Sequence, residues 1–430
     1  MMTAVELRGT AAPKPLVRLV PVYAIVGVSY LGYAMMATLF VPMMLSPTSP
    51  YVPEGASMQL RSLLLGVLLM LYPMAQVVGS PVLGALSDRY GRRPVLVASL
   101  AVTTIAYGLI CIGLATHMLW LLAFALAACG IGEANAAIGT SVVADTTDPD
   151  ERPKYLGYMW SVVSVSYVLG PVLGGATAAR FGYMPPFLAM LAILAATLAT
   201  VVVFFRETHA PDARAQSQKI AASLGNLLTV FTDKPLRAYY LVNFLVFVAS
   251  MGFWRVITEY LVDVFDLSVG EVTVDYAALA LTAGIGNLVI MPILVGRVDM
   301  RRLGMISTTL GALGVLLVLV PAGASVAVAF GALASIALAL SFASLSGLLS
   351  ARVGPERQGA VLGNNTALGF LGEAIGVLGG SMLAGISPEL PMVLFALVAL
   401  LAVIILKTRI TPTEAVVDKA VSRHPGDGEA

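Results

Sequence analysis

Three acids and one base stand where charges are rare. Glu133 lies in Gly130-Ile-Gly132-Glu133-Ala-Asn135, Glu373 lies in Gly372-Glu373-Ala-Ile-Gly376, and Arg255 and Glu259 are four residues apart, all within long apolar runs. A charge in hydrocarbon is costly and tends to line a cavity or pair, which makes each a functional candidate. A carboxyl removed from water favours its neutral form, and one that gains and loses a proton as its surroundings change is what a proton carrier needs. Glu133 and Glu373 are therefore the proton-coupling candidates. For Glu133 the alternative is a neutral acid hydrogen-bonded to a helix backbone or to Asn135; for Glu373, coupling, substrate contact and quiet hydrogen bonding all stay open. The spacing of Arg255 and Glu259 allows an ion pair on one helix face towards the outer end of a span, structural or serving as an outer gate. Tyr30, Tyr33, Asn135, Tyr167, Asn243 and Asn365 are softer candidates for a substrate cavity, with Trp160 and Trp254 beside them; most such residues pack or anchor at interfaces.

The elements that must hold these groups are membrane spans. Of 430 residues, 58% are hydrophobic and 11% charged. A water-facing domain needs about 25% charged residues, so the chain cannot clothe a soluble surface. Mean hydropathy is +0.90. Twelve apolar runs, each of roughly 20 to 25 residues, suffice to cross a hydrocarbon core about 30 Å thick. They cover 20–44, 61–86, 94–115, 118–144, 155–179 and 185–205, then 238–262, 272–296, 303–321, 326–350, 359–384 and 389–407. The first eighteen residues are polar and carry Arg8, Lys14 and Arg18, unlike a cleavable signal. With both ends inside, 22 of the 25 basic residues fall on the cytoplasmic side, leaving Arg61, Arg180 and Arg255. The expected location is a cytoplasmic (inner) membrane.

The chain divides into a segment 1–19, a six-span unit 20–205, a polar linker 206–237, a second six-span unit 238–407 and a tail 408–430. Within the linker, Gln216 to Phe231 fits a short surface helix or a flexible stretch. The halves echo one another. Gly84-Ala-Leu-Ser-Asp88-Arg89-Tyr-Gly91-Arg92-Arg93 returns in weaker form as Gly296-Arg297-Val-Asp299-Met-Arg301-Arg302-Leu-Gly304. Gly170-Pro171-Val-Leu-Gly174-Gly175 returns as Gly376-Val-Leu-Gly379-Gly380. Such repetition builds secondary transporters whose substrate site lies between the halves near the bilayer midplane.

Gly84 and Gly91 permit a tight turn and close helix approach. Asp88, before the third span, is placed to accept from a helix N-terminus, and Arg89, Arg92 and Arg93 to anchor the loop on an anionic surface. Asp145, ahead of Arg152, belongs to the same region. Pro171 removes one backbone hydrogen bond and permits a kink, while Gly174 and Gly175 admit a neighbouring helix.

On these residues the chain resembles the major facilitator superfamily, and within it the drug:proton antiporter branch. Gly84 to Arg93 matches the superfamily loop signature at every defining position, and Gly170 to Gly175 is similar to the antiporter signature of helix 5. The resemblance, covering about residues 18–408, implies an all-α fold of twelve transmembrane helices in two pseudo-symmetric six-helix bundles. It also implies a cytoplasmic latch between the halves, with Asp88 and the arginines breaking and re-forming it during alternating access. The sequence departs from the pattern at Leu126, where the family usually carries an arginine. Glu133 lies two turns along the face that 126, 130, 133 and 137 share. Glu373 has Tyr167 as its mate in the repeat, so a shared scaffold does not explain it.

Other classes are excluded. His117, His209 and His424 make no catalytic or zinc constellation, and no G-x-x-x-x-G-K-[ST] loop is present. Cys111 and Cys129 read as buried small hydrophobes, and no metal site or nucleic-acid patch is expected. The expectation is a non-enzymatic carrier without a cofactor, driven by a proton gradient, with a small molecule, protons and the bilayer as partners, acting as a monomer. Export of partly lipophilic compounds, drugs or secreted metabolites such as siderophores, leads. Uptake of a nutrient or organic acid is the alternative, and a basic residue deep in the cavity would favour it. A sensor without net flux would need a larger cytoplasmic extension.

Overall fold

The computed structural model describes residues 15–148, 152–208, 230–294, 297–320 and 323–410. The segment 1–14, most of the linker with all of the expected surface helix but Val230 and Phe231, and the tail from 411 lie outside them. Helices form the first half as α1 (Pro15–Leu45), α2 (Met58–Tyr90), α3 (Arg92–Thr116), α4 (Leu119–Gly132), α5 (Ala136–Thr146), α6 (Arg152–Phe181) and α7 (Met184–Phe204). The second half holds α8 (Arg237–Phe265), α9 (Val269–Ile285), a π-helical turn Gly286–Ile290 and α10 (Met291–Leu294). It continues with α11 (Met300–Leu317), α12 (Ala324–Ser350), α13 (Pro355–Ala384) and α14 (Leu390–Arg409).

Connections between several helices are very short, which forces antiparallel neighbours. Gly91 alone separates α2 from α3, and its φ of 96° is one that a side chain resists. Gly182, φ 83°, turns α6 into α7. Ser57 caps α2, and Ser268 with Glu271 forms a capping box on α9.

Among the described residues eleven helices are long and apolar enough to cross a membrane, α4–α5 and α9–α10 each counting as one. The expected ninth span corresponds to α11, which ends at Leu317 and spends its first turn on Arg301 and Arg302. It packs between α12 and α14 and completes the second set of six. The fourth span, expected as continuous over 118–144, breaks between Gly132 and Ala136. The amide of Ala134 turns to Ile131 at 3.4 Å, and Gly130 and Gly132 on the preceding turn lower the cost of leaving the helix.

The halves meet along two helix pairs, α2 with α13 and α6 with α9. Their closest approaches lie at the end opposite the Gly84–Arg93 loop. A Cβ on Gly66 would sit 2.8 Å from Ser381 Cβ, one on Gly385 would sit 2.7 Å from Gln59 Cα, and one on Gly175 would run into Thr273. At the loop end, by contrast, Gly84 and Gly363 would meet nothing within 4 Å. The bundles are closed against each other at one end by small residues. Overpacking this seam is expected to cost about 1–3 kcal/mol. Gly175→Val should lower the thermal midpoint of the detergent-solubilised protein, whereas Gly157→Ala, with nothing within 4 Å of its Cβ, should leave it unchanged.

Candidate functional site

The buried acids meet around four tyrosines where the halves face each other. Glu133, 1% exposed, sits at the break between α4 and α5 and accepts from the hydroxyl of Tyr72 on α2. Tyr72 stacks on Tyr33 of α1, ring centroids 4.2 Å apart and 22° from parallel. The Tyr33 hydroxyl in turn donates to Glu373 on α13, across the divide between halves. Arg255 on α8 lies 3.5 Å from the same carboxyl, with its guanidinium 4.6 Å from the centre of the Tyr33 ring. Tyr167 stands edge-on to Tyr33 at 6.4 Å, and Tyr30 packs on Tyr167 at 5.7 Å. A small cavity of about 10 Å³, roughly room for one water, opens between Tyr33, Leu69, Tyr72, Leu126 and Arg255. One carboxyl from each half is thus joined through a stacked tyrosine pair, and a single guanidinium balances one of them.

Two expectations are corrected. No ion pair joins Arg255 to Glu259 among the described residues, because Arg255 turns to Glu373 while Glu259 accepts from Ser381 at 3.0 Å and from Ser62. The pair that helix spacing allows is outcompeted by partners that only the fold brings near. Asp88 does not cap α3. It ends α2 and pairs with Arg92 at 2.5 Å, while the amides of Arg92 and Arg93 donate to Glu207 at 2.9 and 3.0 Å.

The rest of the loop motif is likewise engaged within the first half. Arg92, 5% exposed, binds Asp145 at 3.0 Å and Ser87 at 2.7 Å, and Arg93 donates to the Val202 carbonyl at the end of α7 at 2.7 Å. The side-chain bonds described for Arg92 and Arg93 run to the first half and their amides to Glu207 at the start of the linker, whereas the expected latch spans both halves. Arg89 lies over the Tyr90 ring, and the side chain of Arg152 falls outside the described residues. In the second half Asp299 does cap its helix, accepting from Arg302 at 2.9 Å, and Arg301 donates to three carbonyls closing α14.

Gly170 and Gly174 of the second motif pack against α1, and Gly175 against Thr273 of α9 in the other half. The Asn135 amide donates to Ser29 at 3.0 Å and its carbonyl oxygen lies buried without a partner. Asn365 bonds Ser346 at 3.1 Å, with its own carbonyl oxygen likewise unpartnered. Asn243 is consumed by the Tyr239 and Leu345 carbonyls inside the second half, and Trp160 is 46% exposed. Of the softer candidates, Tyr30, Tyr33 and Tyr167 join the centre directly. Trp254 stacks edge-on to Tyr276 beside it. Sequence reasoning missed Tyr72 and Glu207. Helical spacing on α2 gives no reason to single out Tyr72, but an acid just past the sixth span is a usable signal for Glu207.

Two six-helix bundles closed at one end around buried charges have the architecture of a membrane carrier. The profile described as Major Facilitator Superfamily matches residues 22–324 and, in a second match, 239–425. The chain belongs to that superfamily. It is 30% identical over 321 residues to the class G tetracycline resistance protein of Vibrio anguillarum, covering 73% of this chain and 79% of that one. It is 26% identical to multidrug resistance protein 2 of Bacillus subtilis, over 79% of this chain and 84% of the other. Against the class C tetracycline resistance protein of Escherichia coli the identity is 40%, but the match spans 35% of this chain and only 37% of that relative. For the class H protein of Pasteurella multocida the match spans about half of the relative, 51%. Among solved structures, the human organic anion transporter MFSD10 (TETRAN) superposes with a TM-score of 0.70 at 20% identity, over 92% of this chain and all of the other. The fold class expected from the sequence is the one found.

Gly91 fixes the loop against Glu207. A Cβ there would stand 2.5 Å from Glu207, and its φ of 96° adds a backbone cost of about 1–3 kcal/mol for any other residue. Gly91→Ala should therefore lower stability, and by less in a Glu207→Ala background, because the clash is then gone. Thermal unfolding of the two single variants and the double variant measures this coupling.

Proposed function

We propose that this protein exports small, partly lipophilic compounds in exchange for protons, by alternating access between its two halves. The observation that carries the reading is the link from Glu133 through Tyr72 and Tyr33 to Glu373, which joins an acid of each half inside the bundle. Protonation of such a pair is the switch that a carrier without an ATP-binding loop needs, with the proton gradient as energy source and no cofactor. The relatives named for tetracycline and multidrug resistance support export and a drug-like substrate; secreted metabolites such as siderophores share that chemistry. The charge pattern supports an inner-membrane location with both termini in the cytoplasm. The Gly84–Arg93 loop then lies at the cytoplasmic face, where Asp88, Asp145 and the arginines serve as a gate. The chain works as a monomer. Among the described residues Arg255 is the base deep in the bundle that an anion-uptake site would use, and Glu373 beside it already offsets its charge.

The test uses inverted membrane vesicles carrying a pH gradient, with tetracycline as probe. Addition of the drug should dissipate the gradient in the wild type, and Glu133→Gln or Glu373→Gln should reduce this by about tenfold or more. If neither substitution alters drug-driven proton movement, the coupling assignment is wrong. Accumulation of the compound in cells, in place of extrusion, would sink export itself.

A further inference from the structure

Arg255 and Glu259 each keep one buried polar atom idle. Arg255 Nη1 and Glu259 Oε1 have no hydrogen-bond partner, although their residues are 8% and 3% exposed. The two are oppositely charged and one turn apart on α8, a spacing at which such side chains meet readily. A buried polar atom without a partner is costly, so a donor and an acceptor left idle one turn apart need a reason.

The surroundings supply one. Glu259 is held away from Arg255 by hydroxyls from both halves, Ser62 of α2 and Ser381 of α13. These lie beside the closed seam, where Gly66 abuts Ser381 and Gly385 abuts Gln59. Asp263, one turn further along the same helix, is a second acid beside Glu259. Arg255 is held the other way, by Glu373 at 3.5 Å and by the Tyr33 ring, with Tyr72, Tyr167 and Tyr276 facing it from α2, α6 and α9. Opening the seam withdraws Ser62 with the first half. Glu259 then loses one of its two hydroxyls, while its neighbour one turn back carries a free donor.

We propose that Arg255 changes partner during the cycle, from Glu373 while the seam is closed to Glu259 when it opens. The state of the seam thereby sets whether the Glu373 carboxylate has a cation beside it. Glu259 is a positioning residue in this scheme: it acts on the central acid through Arg255 and touches no substrate. The inference rests on the alternating-access reading above, but its test needs neither substrate nor proton flux.

Gln59→Cys with Ile386→Cys, in the full-length protein with Cys111 and Cys129 replaced, reports seam closure as the rate of cross-linking by a short bifunctional thiol reagent, since both are exposed and flank the Gly385 contact, so that no Cβ has to fit into the seam. Glu259→Gln keeps an oxygen for both serines and loses the charge that Arg255 would seek. The open state alone is weakened, so the cross-linking rate should rise, by about fivefold or more. A glutamate that only clamps the seam predicts an unchanged rate, and a rate that is unchanged or lower overturns the proposal. Ser62→Ala with Ser381→Ala gives an independent arm should Glu259→Gln fail to fold. Freed from the hydroxyls, Glu259 should turn to Arg255 and cross-linking should slow; an unchanged rate there also overturns the proposal. Loss of drug-driven proton movement plays no part in either readout, so failure of the coupling assignment and failure of this switch are told apart.

Discussion

The constraint on which the rest of this structure turns is that three ionisable side chains of the centre are buried inside the bundle. Glu133, Glu373 and Arg255 are each at most 8% exposed. An isolated charge in such a place costs several kcal/mol, so its neighbours are chosen by what they can donate. Tyrosine suits the task because its ring is at home in an apolar core while its hydroxyl serves a carboxyl. Tyr72 and Tyr33 do so for the two acids, their rings stacked on each other, and the Gln76 amide donates to the Tyr72 hydroxyl at 3.4 Å. The Tyr33 ring also takes the guanidinium on its face, a contact worth more when desolvated.

Such a site only has a use if the helices around it can part, and the packing shows where they do not. At one end the halves touch through Gly66, Gly175 and Gly385, which bring backbones close without side-chain interlock. Close packing of small residues excludes solvent yet presents a smooth surface, so the contact can separate as a unit. At the other end the Gly84–Arg93 loop is tied into its own half by Arg92, Arg93 and Glu207. The first half is thereby braced up to its very edge.

The two halves share a scaffold but spend it differently. Arg93 closes the carboxyl end of α7 and Arg301 that of α14, the same service in each copy. Asp299 caps its helix as a loop aspartate should, whereas Asp88 is drawn to Arg92 because Glu207 already occupies the helix end. Where the first copy has Tyr167 the second has Glu373, and the acid works because the tyrosines of the first half supply its donor.

The sequence by itself determined the membrane character, the two-fold repeat and the family, because these rest on periodic apolar runs, charge asymmetry and contiguous motifs that need no partner. It also singled out Glu133, Glu373 and Arg255, since a charge inside an apolar run is visible without a structure. What only the tertiary structure decided is who pairs with whom. The four-residue spacing of Arg255 and Glu259 pointed to each other, yet Glu373 lies 118 positions along the chain and takes the guanidinium. Tyr72 gave no sign on its own helix, and the break at Glu133 to Asn135 was hidden in a run apolar enough to be continuous. In both cases the deciding energy comes from desolvated polar groups seeking partners on other helices, a quantity that no local pattern carries.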